Sequence, residues 1–410
     1  MKKLQAPRGT LDVLPPDARR RLDLVAMAGD VLARAGYEPF ETPVFEETEL
    51  FARGVGEATD IVQKEMFTFE DKAGRSLTLR PEGTAGVCRA YVEHGMHKLA
   101  QPVKLWYWGP FFRHEAPQAG RFRQFTQVGA EALGSDDPSL DAELILLLAE
   151  LIERAGAGPA RLRVSSLGTP ETRAEYLEEL TSFLRAREGE LSEEVRERLD
   201  QNPLRAFDAD HPGTQAVMEK APRLLERLEA EDAQHFADVR ALLDAAGMEY
   251  EVDSTLVRGL DYYTRTVFEF ESERLGAQAA LGGGGRYDRL IEELGGPATP
   301  GVGWAAGIER ILLASPARET STRKVFIAHS ARDTTLAFEF ARRLRGAGIR
   351  TEIEQAGRSP KGQLRQANRI GALVVVIFGD EIEVKDMETG HQQQAADTDQ
   401  ALELVKGRLA

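Results

Sequence analysis

A single cysteine in 410 residues, Cys88, rules out an intrachain disulfide and a metal site built from thiolates. The seven histidines show none of the spacings that metal sites use, so no protein-held metal is expected. Aromatic residues are few, at 7%, but the 42% hydrophobic and 29% charged fractions are those of an ordinary globular chain. A sizeable core is available, and long disorder is not expected. No run approaches the ~18 apolar residues of a membrane span. Met1-Lys2-Lys3-Leu4 leads into polar sequence with no visible signal peptide, which makes the cytoplasm the expected compartment and membrane association unexpected. Excess positive charge is lacking too: a net charge of -15 argues against non-specific binding of nucleic acid. That balance is uneven. Residues 324–410 hold 13 Lys and Arg against 12 Asp and Glu, and 342–369 hold eight basic residues against two acidic ones. Taken alone, such a cluster reads as a solvated helix face.

At this length two or three domains are the prior. Leu22, Val25, Met27, Val31 and Leu32 recur at helical spacing after a Pro15-Pro16-Asp17 start, and Gly36 ends that helix. A second helix is expected over about 138–155, capped by Asp137. Residues 62–80 and 103–134 read as strands and loops of an antiparallel sheet. Residues 170–248, dense in Glu, Arg, Leu and Ala, read as a helical insertion, with sheet-like sequence returning at 249–272 and 299–305. The polar stretch Pro316 to Arg323 is the best linker. Beyond it, strands and helices alternate, which implies a small α/β domain with a mainly parallel sheet. The expected domains are therefore 1–320, containing the insertion, and 324–410.

Phe112-Arg113-His114-Glu115 and Arg121-Phe122-Arg123-Gln124-Phe125 flank a loop with Pro117 and Gly120. A hairpin would gather Arg113, Glu115, Arg121 and Phe125. Arginine forks match phosphate oxygens, a glutamate accepts from an exocyclic amine, and a ring stacks on a base. The same pattern reads equally as a surface hairpin with a salt-bridge ladder. In Gly301-Val302-Gly303-Trp304-Ala305-Ala306-Gly307-Ile308-Glu309-Arg310, small residues at alternating strand positions let a ligand lie near the backbone. Arg310 then opens a helix.

Together these segments resemble motifs 2 and 3 of class II aminoacyl-tRNA synthetases. Gly36-Tyr37-Glu38-Pro39-Phe40-Glu41-Thr42-Pro43 resembles motif 1, which in that class forms the dimer interface. Three stretches narrow the likeness to the histidyl-tRNA synthetases. They are Thr78-Leu79-Arg80-Pro81-Glu82-Gly83-Thr84, Leu256-Val257-Arg258-Gly259-Leu260-Asp261-Tyr262-Tyr263-Thr264-Arg265-Thr266, and Gly284-Gly285-Arg286-Tyr287-Asp288. The resemblance spans essentially the whole chain. It implies an α+β fold: a class II antiparallel sheet with helices, a helical insertion, and a C-terminal α/β anticodon-binding domain, where the basic cluster gains meaning.

The resemblance also implies roles. Glu82, Gly83, Thr84 and Gln127 would take the amino acid's ammonium and polar backbone. Glu131 and Tyr263 would each hold one imidazole nitrogen, and Tyr262 reads as packing or contact. Arg113 and Arg258 would be catalytic, flanking the α-phosphate beside the bound histidine. Arg121 and Arg310 would hold the γ-phosphate, Glu115 the adenine amine and Phe125 its face. The implied substrates are L-histidine, ATP with Mg²⁺, and histidine tRNA, and the implied assembly is a homodimer. His114 reads as structural. Gly282 to Gly285 read as an ordinary mobile loop, or, as the resemblance favours, as a wall or lid of the site. Two departures stand out. Ala116 replaces the usual arginine that helps read the tRNA acceptor end, leaving residues such as Gln118 for that role, and Thr126 replaces histidine or asparagine. Three other readings compete. A regulatory paralogue partnering the first enzyme of histidine biosynthesis usually lacks the C-terminal domain and erodes the Arg-Gly-Leu-Asp-Tyr-Tyr signature, yet both are here. A class II enzyme for another amino acid is disfavoured by Glu131 and the 257–264 segment. A non-enzymatic RNA-binding role is the third.

Overall fold

The computed structural model describes residues 3–56, 59–117, 120–200, 203–256, 258–316 and 324–409. Gln118, Val257 and the 317–323 part of the expected linker lie outside them. The chain divides into two compact units, Met1–Ala317 and Arg318–Ala410.

The first unit opens on α1 (Pro15–Arg34), whose prolines fall in the first turn, where no N–H is needed. Its buried face is Leu24, Ala28, Val31 and Leu32, while Leu22 of the expected stripe is exposed. Next come β1 (Glu38–Pro39), β2 (Phe45–Glu47), α2 (Thr48–Val55), β3 (Phe67–Glu70), β4 (Ser76–Leu79) and α3 (Thr84–Glu93). The long hairpin β5 (Val103–Phe112) and β6 (Gln124–Leu133) is followed by α4 (Pro138–Arg154) and β7 (Arg161–Ser166). The Asp137 carboxylate caps α4, accepting from the Ser139 N–H at 2.9 Å. The helical stretch supplies α5 (Pro170–Arg185), α6 (Glu193–Arg198), α7 (Pro212–Met218) and α8 (Ala230–Ala245). β8 (Glu251–Val252), β9 (Thr264–Glu271), β10 (Ala280–Arg286), α9 (Leu290–Glu293), β11 (Gly301–Gly307) and α10 (Ile308–Ala314) complete the unit.

Eight strands form one sheet in the order β1-β5-β6-β11-β10-β9-β7-β8. Its interior is antiparallel, and only the two-residue edge strands β1 and β8 pair parallel. The 62–80 region does not join it. β3 and β4 pair with β2 in a separate three-stranded sheet. Alternation gives the large sheet two unlike faces. Phe268, Phe270, Val302, Trp304 and Ala306 pack with α1, α4 and α8 in one core cluster. The other face carries Leu105, Tyr107, Phe111, Tyr263 and Val267, and it continues into α5 through Tyr176, Leu180 and Leu184. The helical stretch is thus not a detached lobe, because Phe236, Val239 and Leu243 of α8 belong to the first cluster.

Gly282 to Gly285 form no lid. They lie within β10, paired to β9 on one side and β11 on the other. A Cβ on Gly284 would sit 1.9 Å from the Gly303 carbonyl oxygen, so only glycine lets the strands approach here.

The second unit runs β12 (Lys324–His329), α11 (Thr334–Gly346), β13 (Thr351–Ile353), α12 (Pro360–Arg369), β14 (Ala372–Phe378), β15 (Ile382–Asp386), β16 (Gln392–Ala395) and α13 (Thr398–Leu409). Strands β13, β12 and β14 are parallel, as the alternating texture implies. The antiparallel strands β15 and β16 extend that sheet and carry no comparable apolar run.

Candidate active site

A cavity of about 390 Å³ opens on the face of the large sheet away from α1 and α4, over β6, β11, β10 and β9. That is within the range of small-ligand sites. Every residue expected to bind substrate lines it except Glu131.

One end is acidic and hydroxylic. The Glu82 carboxylate, 4% exposed, accepts from the N–H groups of Thr84 at 2.7 Å and Ala85 at 3.0 Å, at the N-terminus of α3. The Tyr262 hydroxyl donates to it at 3.4 Å, so Tyr262 is a polar partner as well as packing. Burial pushes the Glu82 carboxyl up against the pull of those bonds and of Arg113. Glu131, expected to hold an imidazole nitrogen, is not among the residues that line the cleft. It is fully buried and accepts from the hydroxyls of Thr84 at 2.8 Å, Tyr107 at 3.1 Å and Tyr287. Three hydroxyl partners take up most of the hydrogen-bonding capacity of this carboxyl. Burial, with help from the charge of Glu82, pushes the Glu131 carboxyl up to about 8. A Cβ on Gly303 would lie 1.6 Å from Glu131 Oε2, so glycine there is what gives the carboxylate its space. Gln127 Oε1 is buried without a hydrogen-bond partner among the described residues. A buried acceptor left open in the cleft that Glu82 also lines marks a place for an incoming donor.

The other end is cationic. Strand β5 stops at Phe112 and β6 starts at Gln124, so Arg113, Glu115 and Arg121 sit on the connecting loop rather than on the strands. The Arg113 Nε donates to the Pro81 carbonyl at 2.9 Å, and its guanidinium lies 5.5 Å over the Phe125 ring. Arg121 is paired with Glu115, so a nucleotide that used both would have to part them. Arg310 donates to the carbonyls of Gly120 at 3.3 Å and Ala280 at 2.9 Å. Burial, then the charges of Arg121 and Arg113, depress the pKa of Arg310, so an anion would relieve this cluster. Arg258 is paired with Glu269, which more than offsets the burial that opposes its charge, and its Nε lacks a partner among the described residues.

Sequence reasoning missed Glu269, Tyr107 and Tyr287. Alternation in β9 could have placed Glu269 on the face opposite Phe268 and Phe270. Nothing local marks Tyr107, and Tyr287 lies in the Gly284-Gly285-Arg286-Tyr287-Asp288 stretch without a role assigned to it; the two converge on Glu131 from separate elements. Arg80 is a structural tie: it donates to Thr42 and to the Pro110 carbonyl and lies 4.5 Å over the Phe111 ring. His114 meets the Phe67 ring edge-on at 5.4 Å, a structural position as expected. Ala116 is exposed, and neighbouring Arg123 donates to the Glu115 carbonyl at 3.3 Å. Thr126 receives the Arg21 guanidinium at 3.2 Å, and its N–H donates to Glu309. Among the described residues, no group of three His, Cys, Asp or Glu side chains could hold a metal ion.

The family profile of histidyl-tRNA synthetases matches residues 9–311, and that of the anticodon-binding domain matches 324–408. A histidine–tRNA ligase of Rubrobacter xylanophilus is 49% identical over 407 residues, covering 95% of this chain and 96% of that one. The apo histidyl-tRNA synthetase of S. aureus superposes with a TM-score of 0.82 at 35% identity, covering 98% of this chain and all of that one. A Bacillus halodurans protein described as an ATP phosphoribosyltransferase regulatory subunit/histidyl-tRNA synthetase shares the fold, with a TM-score of 0.69 at 22% identity, covering 92% of this chain and 99% of that one.

Proposed function

The chain belongs to the histidyl-tRNA synthetase family, and from that membership we propose that its cleft activates L-histidine with ATP and then charges histidine tRNA. In the first step the histidine carboxylate attacks the α-phosphate, an acyl-phosphate bond forms and pyrophosphate leaves. In the second, a terminal ribose hydroxyl of the tRNA attacks the acyl carbon, an ester forms and AMP leaves. No side chain becomes covalently bound, so the protein's part is positioning and charge.

One observation carries the reading: carboxylates and an open amide oxygen line the same cleft as four arginines, Arg113, Arg121, Arg258 and Arg310. A zwitterion joined to a polyphosphate is the ligand that matches both. Glu82 and Gln127 take the ammonium, with Gly83 and Thr84 shaping that end. Tyr263 and the buried carboxyl of Glu131 take the imidazole nitrogens. A site whose buried polar groups are left unpaired by an apolar analogue can reject it by ~10⁴–10⁵. Arg113 and Arg258 flank the α-phosphate, where charge develops. Arg121 and Arg310 hold the γ-phosphate. Phe125 stacks on adenine, and Glu115, released from Arg121, accepts its amine. Mg²⁺ would arrive with ATP, held mainly by phosphate oxygens and water, where it offsets phosphate charge. The acidic side chains of the nucleotide end, Glu115 and Glu269, are each paired to an arginine.

The segment from 324 onward is proposed to bind the anticodon stem. A homodimer through the β1 region and a cytoplasmic location complete the reading. Histidine-dependent ATP–pyrophosphate exchange tests the function. Exchange with histidine and not with other amino acids is expected, and exchange with none would overturn it. The regulatory-subunit alternative predicts none.

A further inference from the structure

The loop that brings Arg258, Tyr262 and Tyr263 to the cleft is gripped from behind by the helical stretch. Arg173, on α5, sends Nη1 to the Tyr263 carbonyl at 3.0 Å and Nη2 to the Asp261 carbonyl at 3.4 Å. Two residues further on, Arg265 has φ 45°, the one positive φ among the described residues that are not glycine. A side chain at such a φ costs free energy and persists only where its surroundings impose it. Here they do. The Arg265 N–H donates to the Gly168 carbonyl at 2.8 Å, and the Arg265 carbonyl accepts from Leu167 at 2.7 Å. Its guanidinium is held by Asp232 at 2.8 Å and by Glu231, both on α8. Asp232 also accepts from the Thr169 N–H at 2.9 Å, at the start of α5, so the two helices share one anchor. None of these groups lines the cleft.

We infer that Arg173 and Arg265 are positioning residues, through which α5 and α8 set the affinity for histidine from outside the site. The inference rests on the reading that the cleft binds histidine. Tyr262 and Tyr263 can meet the amino acid only when their backbone is fixed, and the carbonyls of 261 and 263 are fixed by the guanidinium of Arg173. A displacement of α5 relative to the sheet is therefore transmitted to the two tyrosines, while Arg113, Arg121 and Arg310 stay on the hairpin and α10, and Arg258, on the same loop, is held separately by its pairing with Glu269 of β9.

The test is pyrophosphate exchange by the full chain carrying Arg173→Met, Arg173→Lys or Asp232→Asn. Arg173→Met should raise KM for histidine about tenfold, the scale of one lost charged hydrogen bond. KM for ATP should change less than about twofold on the same scale. Arg173→Lys, able to keep one of the two bonds, should recover part of the loss. Hydrogen exchange should quicken at residues 258–266 and not in β6 or β11. A general loss of stability would not split the two KM values. Unchanged KM for histidine, or equal rises for both substrates, overturns the inference. If Arg173→Met does not fold, Arg173→Lys and Asp232→Asn carry the same comparison. Wild-type protein without histidine-dependent exchange would instead refute the assigned function, and this inference with it.

Discussion

Arg258 stands where its loop, β9 and the nucleotide end meet, and its pairing with Glu269 aims the guanidinium before substrate arrives. A donor held in place for charge that develops in the transition state is worth ~10²–10³ in rate. Arg258→Ala should therefore lower kcat for adenylate formation by that factor, with far less change in ATP affinity. Exchange kinetics near wild type would remove Arg258 from the catalytic set. Glu131 gives a different prediction, about stability. Its folded-state pKa is raised to about 8, against 4.5 ordinarily. Below pH 4.5 both folded and unfolded chains hold the proton, and the group has no effect on the balance. Between the two values the folded state holds a proton that the unfolded state has released, so rising pH costs stability, by ~1.4 kcal/mol per pH unit for one full proton. Glu131→Gln should flatten the fall in urea midpoint between pH 5 and 7.5. Parallel curves for the two proteins would show that Glu131 is ionised in the fold.

At the scale of elements, helix α12 turns a compositional observation into a surface. Lys361, Arg365 and Arg369 are spaced four residues apart, so they share one exposed face, while Gln363 and Ala367 face the core. Elsewhere in the basic cluster, Arg343 is committed to Thr398 and Asp399, Arg345 to the Thr351 carbonyl and Arg358 to Glu354. Neutralising all three residues of the α12 face should raise KM for tRNA, weaken the salt dependence of charging, and leave pyrophosphate exchange intact. Every phosphate that the protein ceases to neutralise reduces the salt slope by roughly one. Unaltered charging and salt dependence would place the tRNA-binding surface on another face. The cluster of eight basic residues was visible in sequence, but which arginines are committed to partners was not, because most of those partners come from other elements.

For the whole molecule, the division into Met1–Ala317 and Arg318–Ala410 leaves every residue proposed to bind histidine or ATP in the first unit. A chain ending at residue 322 should keep histidine-dependent pyrophosphate exchange within a few-fold and lose most tRNA charging. Parallel loss of both activities would show that the units are energetically one. The helical stretch is a harder case to cut. Its last helix, α8, supplies Phe236, Val239 and Leu243 to the core under the large sheet, so its excision would expose that core.

The sequence by itself determined what short-range chemistry can write. Pro15-Pro16 and Asp137-Pro138 placed helix starts because φ and capping are local properties. The segments around 78–84, 113–125, 256–266 and 301–310 carry the family resemblance from which the proposed substrate-binding set follows. What only the tertiary structure decided are the partnerships across sequence distance. Gly282 to Gly285 have the composition of a loop, and β9 and β11 make them a strand by supplying backbone partners on both sides. Glu131 alternates correctly along β6, but its carboxylate is buried and does not line the cleft because hydroxyls at 84, 107 and 287 converge on it and Gly303 leaves the room. Arg121 meets Glu115 and Arg258 meets Glu269 before any ligand arrives. The grip of Arg173 on the 261 and 263 carbonyls, and of Asp232 on the Arg265 guanidinium, joins residues up to 90 positions apart. A hydrogen bond or ion pair leaves no periodicity in sequence. It is fixed only when the packed sheet brings its two ends within reach.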